Sequence, residues 1–190
     1  FTALNTALIG DGAVVRIPAG RSTAAPIQLL FVTTTSEQVV SYPRILIVAE
    51  EGSAATIVES YLSTRAESCF TNAVTEVLVE AGAAVDHYRL QLENERTFHI
   101  GSTWVSQGRS SIYRSLAVSL GGEIARHTLG IKHCDELAET SIDGLYVVTG
   151  RQHVDNHTSI DHASPRGRSS QLYKGILDGK GKAVFRSEEH

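Results

Sequence analysis

Five turn segments of one design recur along this chain, and their recurrence limits what it can fold into more than any other feature. They begin at residues 52, 82, 108, 136 and 167, at steps of 30, 26, 28 and 31. Four open on a glycine and the fifth on Glu136, and each runs through small residues into an alternating segment. Examples are Gly52-Ser53-Ala54-Ala55-Thr56-Ile57 and Gly108-Arg109-Ser110-Ser111-Ile112-Tyr113. A period of this size marks a solenoid or an array. Each period carries a second strand-like pattern midway, at residues 98–105, 124–131 and 154–161. Segments such as Ile27-Gln28-Leu29-Leu30-Phe31-Val32 and Arg44-Ile45-Leu46-Ile47-Val48 are short and rich in β-formers, while helical signals are nearly absent. Two short strands cannot bury a face alone, so successive coils must stack, each about 4.8 Å above the last.

The reading is therefore all-β: a right-handed parallel β-helix with coils of about 28–30 residues, and Gly52, Gly82, Gly108 and Gly167 at one corner. A jelly roll or sandwich would space its turns less regularly and use more tight hairpins. Asp11-Gly12 and Asp178-Gly179 are the hairpin candidates near strand ends, and Asp143-Gly144 lies inside a strand pattern.

Composition narrows the function classes. Seventeen Lys and Arg against 21 Asp and Glu, with no long run of one sign, leave neither a nucleic-acid footprint nor an acidic tail. The longest apolar stretches, such as residues 45–49, are far shorter than a membrane span, and no signal pattern opens the chain, which predicts a soluble protein of a cytosol-like compartment. Cys69 and Cys134 stand far apart without a CxxC and read as buried apolar residues rather than a disulfide or a cluster site. The chain opens on Phe1 and contains no Met, so it reads as a fragment: a core over residues 1–185, then a vector-derived or irregular tail over 186–190.

His99, His127 and His157 lie nine, nine and ten residues before the next turn start, which predicts one column up a face of the solenoid. Three aligned imidazoles suit a divalent metal, with Asp155 and Asp161 on the face of His157. The expected role is instead a structural ladder of like side chains on successive coils, because a metal centre needs convergent geometry and a supporting shell. The segment from Gly150 to His162 is dense in His and Asp, yet no nucleophile elbow, HExxH, P-loop or GxGxxG accompanies it. Cys134, beside His133 and Asp135, reads as an inert thiol. No catalytic, cofactor-binding or metal-ligating residue is assigned.

Several stretches carry a resemblance. Asn72-Ala73-Val74-Thr75-Glu76, Phe98-His99-Ile100-Gly101-Ser102-Thr103, Asp143-Gly144-Leu145-Tyr146 and Gln152-His153-Val154-Asp155-Asn156-His157-Thr158 resemble the SufB/SufD family, and Gln171-Leu172-Tyr173-Lys174-Gly175-Ile176-Leu177-Asp178-Gly179 is especially specific. The likeness is greater to its SufD branch. It implies a parallel β-helix core, a role as a non-enzymatic scaffold in SUF iron-sulfur cluster assembly, a SufB partner joined through the core, and a SufC ATPase bound by a helical domain outside these residues. It further implies a cytoplasmic protein, or a stromal one in plants, with the family's cluster-nucleating Cys/His segment lying beyond Phe185. The fragment alone is expected to form a homodimer through its last strands. The rival reading, a β-helix enzyme acting on polysaccharide, needs exposed aromatics and paired carboxylates along a groove, and aromatics make up only 6 percent of this chain.

Overall fold

The computed structural model describes residues 1–190. After a short helix, α1 (Thr2–Ala7), the chain winds between two parallel sheets. The first holds β1 (Asp11–Ile17), β3 (Val39–Ser41), β4 (Pro43–Ala49), β6 (Cys69–Val79), β8 (Phe98–Gln107), β10 (Ile124–His133), β12 (His153–Asp161) and β14 (Lys182–Glu189). The second holds β2 (Ile27–Thr33), β5 (Ala54–Ser63), β7 (Ala84–Leu92), β9 (Ile112–Ser119), β11 (Glu139–Val148) and β13 (Arg168–Leu177). Each strand pairs with the strands one coil before and after it, so the chain is a β-solenoid.

Alternation turns every second side chain of both sheets into the space between them. Near the corner where the first sheet passes into the second, those side chains are apolar: Ile45, Ile47, Ile57, Val77, Val85, Val105, Leu129 and Ile142 are all fully or nearly buried. Near the other corner, in the coils from β5 to β8, the inward positions are polar, as described below, so the interior there has an apolar half and a polar half. Later coils depart from this: Ala125, Val148 and Val154 are buried at the second corner, and Gln107, His133 and Thr140 are buried and hydrogen-bonded at the first.

The first corner is built on a column of left-handed residues, Gly20, Gly52, Gly82, Ser110, Leu137 and Arg166, with φ between 53° and 64°. The amides of Gly20, Gly52, Gly82 and Ser110 bind the next coil, as from Gly52 N–H to the Ala81 carbonyl at 2.9 Å and from Gly82 N–H to the Arg109 carbonyl at 2.8 Å. Gly108 and Gly167 lie at this corner with Gly52 and Gly82, as expected, but two residues before Ser110 and one after Arg166, so in those coils the left-handed position falls to residues with side chains. Only glycine adopts this conformation without steric cost, which for other residues is roughly 1–2 kcal/mol. Leu137→Gly is therefore expected to raise the urea midpoint by a few tenths of a molar unit or leave it unchanged, whereas Gly82→Ala should cost about 1 kcal/mol. Chemical denaturation of the two variants checks this.

Two further expectations change. Residues 186–189, read as the start of a tail, continue β14 in register with β12, pairing Arg186 with His157 and Glu189 with Ile160. His190 closes the pattern, its amide donating to the Ile160 carbonyl at 3.0 Å. Cys69 is buried as expected, but Cys134 is exposed, because it sits where β10 has ended and the chain turns outward.

Candidate functional site

The polar half of the interior is a connected set of charged side chains. On β5 the inward positions are Ala55, Ile57, Glu59 and Tyr61; on β7 they are Val85, His87, Arg89 and Gln91. Glu59, at 1 percent exposure, accepts hydrogen bonds from Tyr61 Oη at 2.5 Å and Thr75 Oγ1 at 3.1 Å, and meets His87 Nε2 at 3.0 Å. His87 Nδ1 meets the Tyr113 hydroxyl at 2.9 Å, joining this carboxylate to β9. The second carboxylate, Glu93, accepts from Thr71 Oγ1 at 2.7 Å, Gln91 Nε2 at 3.0 Å and His99 Nδ1 at 2.6 Å.

Arg89 fixes the protonation of His99. A guanidinium only donates, and Arg89 Nη2 lies 2.5 Å from His99 Nε2. That nitrogen must accept, so the His99 proton resides on Nδ1 and is donated to Glu93. Neutral His99 thereby bridges the Arg89 cation to the Glu93 anion. The guanidinium also lies 5.5 Å from the Tyr61 ring centre, within cation–π reach. It fits because Gly101 faces it, where a β-carbon would stand 2.6 Å from Nη2.

These contacts set the charges. Burial alone would raise the Glu59 carboxyl, but His87, Arg89 and Tyr61 outweigh it and hold the group at about 2. Burial likewise opposes ionisation of Glu93, but the hydrogen bonds from His99, Thr71 and Gln91 hold it below the usual carboxylate range. Burial first, and then the neighbouring Glu59 charge, push the Tyr61 hydroxyl well above its usual range. Burial and the Arg89 charge keep His127 neutral, its Nε2 lying 3.1 Å from Thr103 Oγ1. Two ionised carboxylates and one guanidinium thus stand in the interior, linked to one another and to both sheets through His87, His99 and Tyr61. Such a set cross-links the two sheets, and its side chains already engage one another rather than a reacting group.

The histidine column does not form. His99 pairs with Ala125, so His127 sits two residues further along and inward, while His157 pairs with Thr128 and so points outward. Spacing to the turns misled because the coils differ in length, which slips the register by two residues and then one. His157 does share the outer face with Asp155 and Asp161, where Asp155 pairs with Arg126 at 3.2 Å and Asp161 with Lys132 at 3.9 Å. No group of three or more His, Cys, Asp or Glu residues is placed to hold a metal ion. Sequence reasoning missed Glu59, His87, Arg89 and Glu93. The available signal was phase: Glu59 and Arg89 fall on the same alternation as Ile57 and Val85.

At the far end of the solenoid β13 and β14 are the outermost strands of their sheets. They expose Leu172, Ile176, Leu177, Val184 and Phe185, Ile176 at 60 percent. On β14 the amides of Lys182 and His190 turn to the preceding coil, donating to Gln152 and Ile160 carbonyls at 2.9 and 3.0 Å. By alternation the amides of Ala183, Phe185 and Ser187 face the open edge.

Fold and site together define a parallel β-solenoid with a charged seam inside it and an open strand edge at one end. Residues 31–190 match the family described as SUF system FeS cluster assembly, SufBD core domain, and the chain belongs to that family. It is 38 percent identical over 194 residues to an iron-sulfur cluster assembly SufBD family protein of Synechocystis, covering 97 percent of this chain and 43 percent of that protein. It is 32 percent identical to the chloroplastic protein ABCI7 of Arabidopsis thaliana, over 97 percent of this chain and 41 percent of that one. To the iron-sulfur cluster assembly protein SufD of Escherichia coli it is 27 percent identical, over 97 and 44 percent of the two chains. The chain thus spans less than half the length of these relatives. No helix is long and apolar enough to cross a membrane.

Proposed function

We propose that this chain is the solenoid core of a SUF-system scaffold subunit, which pairs with SufB through the edge formed by β13 and β14 and contributes no catalytic group of its own. The open edge is the observation that carries the reading: two adjacent outermost strands offer free backbone amides flanked by exposed apolar side chains, and such an edge pairs with another chain unless capped. Family membership and the SufD relative support the choice of partner. In the longer protein, SufC binds outside these residues, and the complex works in the cytoplasm or, in plants, the plastid stroma. Without SufB, a second copy of the chain occupies the same edge as a two-fold dimer.

Ser187→Pro tests this. Its amide faces the edge rather than β12, so proline there removes a donor from the interface and leaves the internal ladder intact. Co-purification and titration with a SufB homologue should show binding weakened by about tenfold or more, a change of roughly 1.4 kcal/mol. Val184→Pro, facing inward to β12, should instead lower the stability of the chain itself. Wild-type affinity in the folded Ser187→Pro variant would reject edge pairing.

A further inference from the structure

At the first coils, away from β14, a cavity of about 570 Å³ opens between β2, β3 and the start of β4. Leu30, Phe31, Val40 and Pro43 supply apolar walls, Thr71 and Glu93 reach it from the charged seam, and Asp11 stands at its border. No lysine, arginine or histidine lines it. Its size is that of an ordinary small-molecule site, and its composition is one-sided: two carboxylates, three aromatic rings and no cation.

Behind the cavity, Glu59 meets His87, and His99 joins Glu93 to the Arg89 guanidinium as a neutral ring. Glu93 is itself 4 percent exposed. Its Oε2 takes two hydrogen bonds, from His99 and Gln91, whereas Oε1 takes one, from Thr71. A carboxylate offers about four acceptor directions, so one remains on Oε1. The hydroxyls of Ser41 and Thr71, 3.4 Å apart, lie alongside. A compact donor of several N–H groups fits this floor, and the Phe31 and Tyr42 rings favour a cation above them. The walls suit a hydrocarbon stem.

We propose that this cavity binds a primary ammonium ion carried on a short apolar body, with the ammonium on Glu93 Oε1 and the body between Phe31 and Pro43. The proposal is independent of the scaffold reading.

The probe is n-hexylammonium, compared with hexanol and hexanoate, followed by NMR shift mapping and calorimetric titration on the folded chain. Hexylammonium should shift signals of Val40, Tyr61 and Thr71, hexanol should bind at least about tenfold more weakly, and hexanoate should leave these signals unmoved. Glu93→Gln should weaken hexylammonium at least about tenfold. Because that substitution also disturbs the buried seam, Ser41→Lys supplies a second test. The Ser41 hydroxyl lies 3.4 Å from Thr71 Oγ1, which donates to Glu93, so an ammonium introduced there occupies the site, and hexylammonium shifts should vanish while the circular dichroism of the fold holds. Equal affinity for hexanol, shifts elsewhere or none at all, or undiminished binding to a folded Ser41→Lys would overturn the proposal.

Discussion

Arg89→Met is expected to destabilise the chain by about 3–5 kcal/mol, the cost of removing one partner from a buried ionic network. Arg89 is 3 percent exposed and carries the one guanidinium within the charged seam. Methionine fills part of its volume but leaves His99 Nε2 without a donor and both carboxylates without their cation. In a chain of this size each kcal/mol moves the thermal midpoint by about 2–4 °C, so a fall on the order of 10 °C is expected. Pairing the substitution with Glu93→Gln should recover part of the loss, because the two residues communicate through His99, and a double-mutant cycle should return a coupling of about 1–3 kcal/mol. Urea denaturation measures both. A loss under about 1 kcal/mol for Arg89→Met would mean that the guanidinium does not hold the seam together.

Acid should unfold the chain in two stages. His127 and His133 are held below their ordinary 6.5, chiefly by burial. The unfolded chain therefore takes up protons there before the folded one does, and stability declines as the pH falls below about 6.5. Glu59 is at about 2 in the fold against an ordinary 4.5, and Glu93 is lowered in the same direction. For groups lowered on folding, the contribution is fully present above 4.5 and is lost as the pH falls from 4.5 toward 2. A shift of the size at Glu59 amounts to on the order of 3 kcal/mol, making the second stage the steeper. Glu59→Gln should lower stability at pH 7 and flatten this limb. Urea midpoints at about pH 7, 5, 4 and 3 would record it. A profile flat from pH 5 to 3 would show that the carboxylates gain nothing from folding.

The solenoid was legible because its cause is local. Turn residues recur at near-equal steps, and Ile45, Ile47, Val77 and Val79 announce inward faces by simple alternation. The left-handed column was half visible: Gly52 and Gly82 mark it, but Ser110, Leu137 and Arg166 hold the same conformation with full side chains, which no residue type betrays. The histidines show the limit more sharply. Whether His99, His127 and His157 align depends on coil length to the residue, and a slip of one turns His157 from inside to outside. The charged seam was hidden for another reason. Glu59, Arg89 and Glu93 read as solvent-facing charges by residue type, and only partners brought to them across the sheets and from the next coil make their burial affordable. Those partners are 28 residues apart for Glu59 and His87.

Edge pairing is tested most directly by hydrogen exchange along β14 with and without a SufB homologue. At dilutions that keep the free chain monomeric, the amides of Lys182 and His190 donate to the preceding coil and exchange slowly, whereas those of Ala183, Phe185 and Ser187 face the open edge and exchange fast. On adding SufB, protection of these three should rise by about tenfold or more while the alternate amides change little. Protection appearing instead on the outer face around Trp104, or no change along β14, would contradict the account.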